Sequence, residues 1–543
     1  MKWFSLSLLA VSSLAMADTL IHNAKGYRYH EGSWQPFTWM LVDDGKITAI
    51  GNGEPARAAK AGDRDLNGAQ VLPGLIDAHG HVYGFGLEQQ QVDLRGTASL
   101  DEALARVKDF AGKHPDRRWI VGRGWNQVLW PGKQFPTAAD LDKVISDRPV
   151  MLERVDGHAA WVNSKALKLA GITTKTADPQ GGQILRDEQG QATGVLIDNA
   201  ANLITKHLSA PTLNERAATL KAAMDALVTM GLTGVHDAGI SVDDYKAYQK
   251  LGKNDDMPMR IYAMLADSDA ARKVLAKAPP KPQFDQRLIL RSVKAWSDGA
   301  LGSRGAAMLE DYGDHPNHRG LLLYTPEQLE ALTKLAINNG WQVNIHAIGD
   351  AGNRLVLDTF EKLSRDGKAR ALRHRIEHAQ VIALDDIPRF RELEVIASIQ
   401  PTHATSDMNM AEDRVGSERI KGAYAWRKLL DANVRLAGGS DFPVELANPF
   451  HGLYAAVTRK DRDGKPLDGW YPNEKLNRSE ALKLFTVDAA YSGHMENEIG
   501  ALQVGQWADF IVVDRDYFHT DEMQIDDINV LATYVAGKTV HQQ

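Results

Sequence analysis

The sequence predicts an α/β protein built on a (β/α)8 TIM barrel, with a small β-sandwich domain formed from both chain ends and an insertion over the barrel mouth. Three observations carry this expectation. Short apolar strands alternate with helical stretches through the middle of the chain, which is the pattern of a parallel sheet. Several of those strands end on a polar residue capable of chemistry, as the C-terminal face of a barrel requires. The two chain ends have another texture, short strands broken by Gly and Asp turns.

At the N-terminus, Lys2 precedes an apolar run over residues 3–14, and Ala15-Met16-Ala17 follows. A charged start, an apolar middle and a small-x-small end form the pattern of a secretory signal peptide. Cleavage is therefore expected after Ala17, and the protein is expected to be exported, periplasmic or secreted. No other stretch is long and apolar enough to span a bilayer. Residues 18–66 read as β structure. Thr19 to Ala24 is a strand, and 38–42 and 46–51 flank the turn Asp43-Asp44-Gly45 as a hairpin. Residues 509–514 and 530–540 look alike, with Gly505 and Gly537 at turns. The expected organisation is a signal peptide over 1–17, a sandwich from 18–66 and 497–543, and a barrel over 67–496. Within the barrel, 97–210 exceeds one βα unit and reads as a Gly- and Trp-rich insertion.

Composition narrows the function. The 543 residues suit a large barrel plus a smaller domain. The formal charge of -7 becomes -8 when Lys2 leaves with the signal segment. A mildly acidic chain with no basic block argues against nucleic acid or an anionic membrane as partner. The expected partner is a small-molecule substrate; a homodimer is left open. With no cysteine, the exported chain has no disulfides, and any metal is held by histidine, carboxylate or a modified lysine.

The stretch Val71-Leu72-Pro73-Gly74-Leu75-Ile76-Asp77-Ala78-His79-Gly80-His81 is an apolar run ending in two histidines one residue apart. Residues i and i+2 of a strand share a side, so His79 and His81 can face one metal if the strand reaches them. Later strands lead to Lys294, His346, His378, Gln400 and Asp441. Helices are expected between them, one over Pro326 to Asn338 with Thr325 as N-cap and proline first, another over 353–364. Imidazoles and an aspartate suit Zn²⁺, or Mn²⁺, Fe²⁺ or Co²⁺. Two cations need a bridge, and Lys294 as its CO2-derived carbamate supplies an anion with two oxygens. A metal-bound water loses its proton near neutral pH and becomes a nucleophile. Asp441 can ligate a metal, accept that proton and pass it to the leaving group.

Six blocks in order carry a family resemblance: Gly74-Leu75-Ile76-Asp77-Ala78-His79-Gly80-His81, Asp156-Gly157-His158-Ala159-Ala160-Trp161-Val162-Asn163, residues 293–304, Ile345-His346-Ala347-Ile348-Gly349-Asp350, Ile376-Glu377-His378-Ala379 and Gly439-Ser440-Asp441-Phe442-Pro443. With Gly505-Gln506-Trp507-Ala508-Asp509-Phe510, the chain resembles the amidohydrolase superfamily, and most its amidohydrolase-3 branch, which includes N-substituted formamide deformylase-like proteins. The resemblance implies a (β/α)8 barrel with a β-sandwich. It implies a centre, here two Zn²⁺, held by His79 and His81 on strand 1, carboxylated Lys294 on strand 4, His346 and His378 on strands 5 and 6, and Asp441 on strand 8.

Four further residues are candidates for substrate contact. His158 lies in a Gly-His-Ala-Ala-Trp segment and is a candidate for a substrate oxygen. Asp298 could hold a polar group and Arg304 a carboxylate, or the two could satisfy each other and the loop backbone. Trp125 could line an apolar pocket or serve packing. The expected function is an exported metal-dependent hydrolase of a C–N bond, amide-type, N-acyl or N-formyl, in a small molecule. Hydrolysis of an ester, carbamate or lactam is the alternative within enzymes. A binding or regulatory protein on the same scaffold is the alternative outside them.

Overall fold

The computed structural model describes residues 18–543 apart from 116, 155–158, 180–181, 209 and 365–366; the expected signal segment lies outside the described residues. The described residues divide into two compact units, one of 18–82 and 224–543, the other within 83–223.

In the larger unit, eight parallel strands follow each other round one sheet. They are β1 (Leu75–Gly80), β2 (Leu232–Ile240), β3 (Arg260–Ala266), β4 (Leu288–Trp296), β5 (Gln342–Ala347), β6 (Arg375–His378), β7 (Ile396–Ile399) and β8 (Leu436–Gly438). Just past the strand ends, Asp441 N–H donates to His79 O (2.7 Å) and His81 N–H to Phe442 O (2.8 Å), which joins the last strand to the first. The strands are buried almost throughout, the near-continuous apolar type expected where a parallel sheet is covered on both faces. Helix α1 (Pro326–Asn338) begins as the sequence predicts: the Thr325 side chain accepts from Gln328 N–H and proline opens the first turn. Helix α2 (Asp350–Leu363) starts three residues before its predicted position, directly after Gly349.

The chain ends do pair. Phe510–Val513 lies antiparallel to Gln70–Pro73, in a six-stranded sheet that also takes in Lys25–His30, Ser33–Phe37, Val530–Val535 and Lys538–Gln542. A four-stranded sheet holds the hairpin Trp39–Asp43 and Lys46–Gly51 together with Thr19–His22 and Arg64–Asp65. Their shared core includes Met40, Val71, Phe510 and Tyr534. The run from Val71 to His81 is thus two strands. Pro73 ends one in the end sheet, and β1 begins after Gly74, whose N–H donates to Asp509 O.

The second unit has a six-stranded sheet of its own, from Val92–Asp93, Ile120–Trp125, Val150–Arg154, Ala159–Val162, Gly182–Arg186 and Ala192–Asp198. The loop-like composition hid it. Gly122 stands inside a strand because a Cβ there would lie 2.6 Å from Val92 O. Trp125, Trp130 and Trp161 pack edge-on or tilted, 6.2–6.3 Å between centroids, in this unit's core. Among the described residues no helix is long and apolar enough to cross a membrane.

Candidate metal centre

Strand β1 ends at Gly80, so His79 is its last inward-facing histidine and His81 lies one step beyond. The backbone bond to Phe442 O holds His81 there, in place of a continued strand. Asp77, in the same strand, is fully buried. It accepts from His79 N–H (2.9 Å), Ser440 N–H (3.0 Å) and the Ser440 hydroxyl (2.6 Å), and so fixes the β1 end against the loop that carries Asp441. Burial raises the Asp77 carboxyl to about 7 despite those donors. Two site residues have left-handed backbones, His378 at φ 74° and Asp441 at φ 63°, a cost that surrounding structure must impose.

These strand ends bring the predicted residues together. His81 Nε2 stands 3.0 Å and His79 Nε2 3.5 Å from Asp441 Oδ1. Ring centroids are 4.8 Å apart for His79 and His378 and 4.5 Å for His346 and His378. Lys294, on β4, is buried with its Nζ 5.0 Å from the Trp296 ring centroid. All six line one cavity of about 390 Å³, inside the range of about 300–1,000 Å³ usual for small-molecule sites.

The histidines are held in defined tautomers. His79 Nδ1–H donates to Glu377 Oε2 (2.5 Å), and His378 Nδ1–H donates to Gln400 Oε1 (2.7 Å). Each ring therefore turns Nε2 toward the cavity, the arrangement that orients metal-ligating histidine. Glu377 is in turn gripped by Arg375, with Nε 2.7 Å from Oε1 and a hydrogen bond from Nη2 to Oε2 (3.0 Å). Burial, then the charge of Lys294, lowers His79 to about 4 and His346 to about 3, so both are neutral imidazoles near pH 7. Burial likewise lowers Lys294. Burial alone would raise the Asp441 carboxyl, but the imidazoles of His81 and His79 hold it well below its usual range.

Residues 64–541 match the profile of the amidohydrolase family. The chain belongs to that family. This amidohydrolase is 36% identical over 556 aligned positions to Protein LONG AFTER FAR-RED 3 of Arabidopsis thaliana, across 99% of this chain and 94% of that protein. It is 28% identical to N-substituted formamide deformylase of Arthrobacter pascens, across 92% and 94%. Among solved structures it resembles an uncharacterized metal-dependent hydrolase from Pyrococcus horikoshii OT3, with a TM-score of 0.77 and 28% identity over 93% of this chain and 99% of that one.

The donor set of the amidohydrolase fits a divalent cation. His79 Nε2 and His403 Nε2 are buried without a hydrogen-bond partner, and with Asp441 they converge on the same cavity. Unpaired buried polar atoms are costly unless something binds them. Neutral imidazole nitrogen and carboxylate oxygen are ligands that Zn²⁺, Mn²⁺, Fe²⁺ or Co²⁺ accepts. His79, His81 and Asp441 offer donor atoms within 4.8 Å of one another, as do His378, His403 and Asp441.

The residues expected to touch substrate fare differently. Asp298 is buried and accepts from the backbone N–H groups of Ala307 (2.9 Å), Ile348 (3.0 Å) and Gly349 (2.8 Å), so it shapes the loop and has no free face for substrate. Arg304 grips Asp314 through Nε (3.0 Å) and Nη2 (2.8 Å), a pairing with neither Asp298 nor a substrate carboxylate. Trp125 is fully buried in the second unit and its Nε1–H donates to Leu152 O, so packing is its role. His158 lies outside the described residues. The sequence reading passed over Asp77, Glu377 and His403. The first two lie inside the quoted motifs, between or beside the ligands. His403 follows Gln400, a recognised strand end, by three residues.

Close packing at the β8 end gives one prediction. A Cβ on Gly439 would lie 2.5 Å from His79 N and 2.7 Å from Asp77 Oδ1. Gly439→Ala is expected to lower stability by about 1–3 kcal/mol and to weaken metal binding by displacing His79. Thermal unfolding and metal titration check both effects; an unchanged Tm would mean that this junction yields freely.

Proposed function

We propose that this amidohydrolase hydrolyses a C–N bond, amide-type, N-acyl or N-formyl, in a small molecule, and that it does so in an exported form. One observation carries the reading: four imidazoles, Lys294 and Asp441, delivered by five strand ends, face one small-molecule cavity. The choice of a C–N bond is supported by the likeness to N-substituted formamide deformylase. Export is supported by the charged, apolar, small-x-small order of residues 1–17.

A bound divalent cation, Zn²⁺ in this proposal, supplies Lewis acidity toward a carbonyl oxygen and lowers the pKa of a water. His79, His81, His346 and His378 would hold the cations through imidazole nitrogen. Lys294, once its amine has added CO2 and lost a proton, would hold a cation as a carbamate. Asp441 turns Oδ1 toward His79 and His81, and its carboxylate would take the proton from water and return it to the leaving nitrogen. Trp296, Leu301 and Val444 offer the substrate apolar wall in the same cavity.

The test begins with metal. Protein stripped by a chelator is expected to lose hydrolysis of N-formyl and N-acyl amines and to regain it with Zn²⁺ or Mn²⁺ and bicarbonate. Lys294→Ala is expected to bind fewer metals per chain than wild type. Turnover of esters, carbamates or lactams alone would move the reading to those bonds, and a metal-free protein would remove it. N-terminal sequencing of the protein from its native host is expected to start at Asp18; a start at Met1 would end the export proposal.

A further inference from the structure

His403 belongs to no part of the centre predicted from the sequence, yet it lines the same cavity. It lies in the first turn of helix α3 (Pro401–Asp407), which follows β7 directly. Its backbone N–H donates to Gln400 O (3.1 Å), and the same Gln400 fixes the His378 tautomer. The His403 ring lies nearly parallel to that of His378, at 12° with centroids 5.8 Å apart. Its Nε2 stands 3.6 Å from Asp441 Oδ2, too far for a hydrogen bond, and is buried without a partner.

The two oxygens of Asp441 thus face two different groups. Oδ1 faces His79 and His81 and Oδ2 faces His403, while His378, His403 and Asp441 offer donor atoms within 4.8 Å of one another. Ring packing alone would not require His403 to turn a nitrogen into the cavity unpaired, since burying such an atom is costly. A cation on that side would satisfy it.

Resting on the metal-dependent reading above, we propose that His403 is a metal ligand which, together with His378, holds a second cation on the Oδ2 side of Asp441. The first cation is then the one facing His79, His81 and Oδ1. The turn Gln400-Pro401-Thr402-His403 has two tasks in this arrangement. Gln400 orients one ligand of the second cation, and three residues later the same turn supplies another.

The test is metal binding on the full chain, which needs no substrate. Chelator-stripped wild type, His403→Ala and His403→Gln are titrated with Zn²⁺ and Co²⁺ against a competing chromophoric chelator, with the visible spectrum of Co²⁺ recorded. Wild type is expected to take two cations. Both variants are expected to keep the first at wild-type affinity, which also shows that they are folded. Their affinity for the second should fall by more than about 100-fold, beyond the loss that an outer-shell partner causes, with loss of the second Co²⁺ spectral step. A smaller fall, or an equal loss of both cations, overturns the role of His403. A single cation in wild type overturns the second position. No cation in wild type overturns the metal-dependent reading itself, and the role of His403 with it.

Discussion

Asp441→Asn is expected to lower kcat by about 10²–10⁴-fold, the range that a positioned proton-transfer group supplies. Asparagine keeps the shape and can still occupy the φ 63° backbone, a conformation that Asn and Asp tolerate better than most residues. The N–H to His79 O that joins the barrel ends is also kept, since it comes from the backbone. What is lost is charge and basicity at Oδ1 and Oδ2. Metal affinity should fall too, because His79 and His81 then face a neutral amide. The effects separate on metal-saturated protein. There kcat should stay depressed while unfolding temperature remains near wild type. A variant within tenfold of wild-type kcat at saturating metal would take proton transfer away from Asp441 and leave it as a ligand only.

The barrel and the strand-end residues that meet in one cavity were legible because each rests on a local signal; the chain ends were legible as strands, but their pairing was not, since it joins segments more than 400 residues apart. Alternating strands and helices mark a parallel sheet, and a histidine or aspartate just past an apolar run marks a strand end. Three kinds of fact were not local. Asp77 and Glu377 read as strand residues with no evident partner, because their partners lie across the barrel: Ser440 is 363 residues from Asp77 and His79 is 298 from Glu377. His403 sits on a helix after its strand, where periodicity gives no reason to look for a ligand. Asp298 and Arg304 were left between substrate contact and satisfaction by each other and the loop backbone, because spacing does not show which partners the fold brings to them. Three backbone donors and Asp314, respectively, consume them.

Beneath the centre, Arg375→Met is expected to destabilise the fold by about 3–5 kcal/mol, the cost of leaving one buried charge without its partner. Arg375 and Glu377 are both fully buried. Besides its two contacts with Glu377, the guanidinium donates to Ala78 O (2.6 Å), the Ser398 hydroxyl (2.8 Å) and His236 Nδ1 (2.9 Å). It therefore ties β6 to β1, β7 and β2 at one depth in the barrel. Arginine can only donate, so His236 accepts at Nδ1 and is neutral; burial, then the Arg375 charge, lowers its pKa in agreement. The pair also reaches the metal site, since Glu377 fixes the tautomer of His79. Glu377→Gln should keep an acceptor for Nδ1–H but make His79 a poorer donor, and weaken metal binding by about 10–100-fold. Arg375→Met/Glu377→Gln should be less destabilised than Arg375→Met alone, because no unpaired carboxylate is left in the barrel. Urea unfolding of the three variants and metal titration of each measure both terms. Additive losses across this cycle would show that the two residues act independently, and that the charge of Arg375 does not support His79 through Glu377.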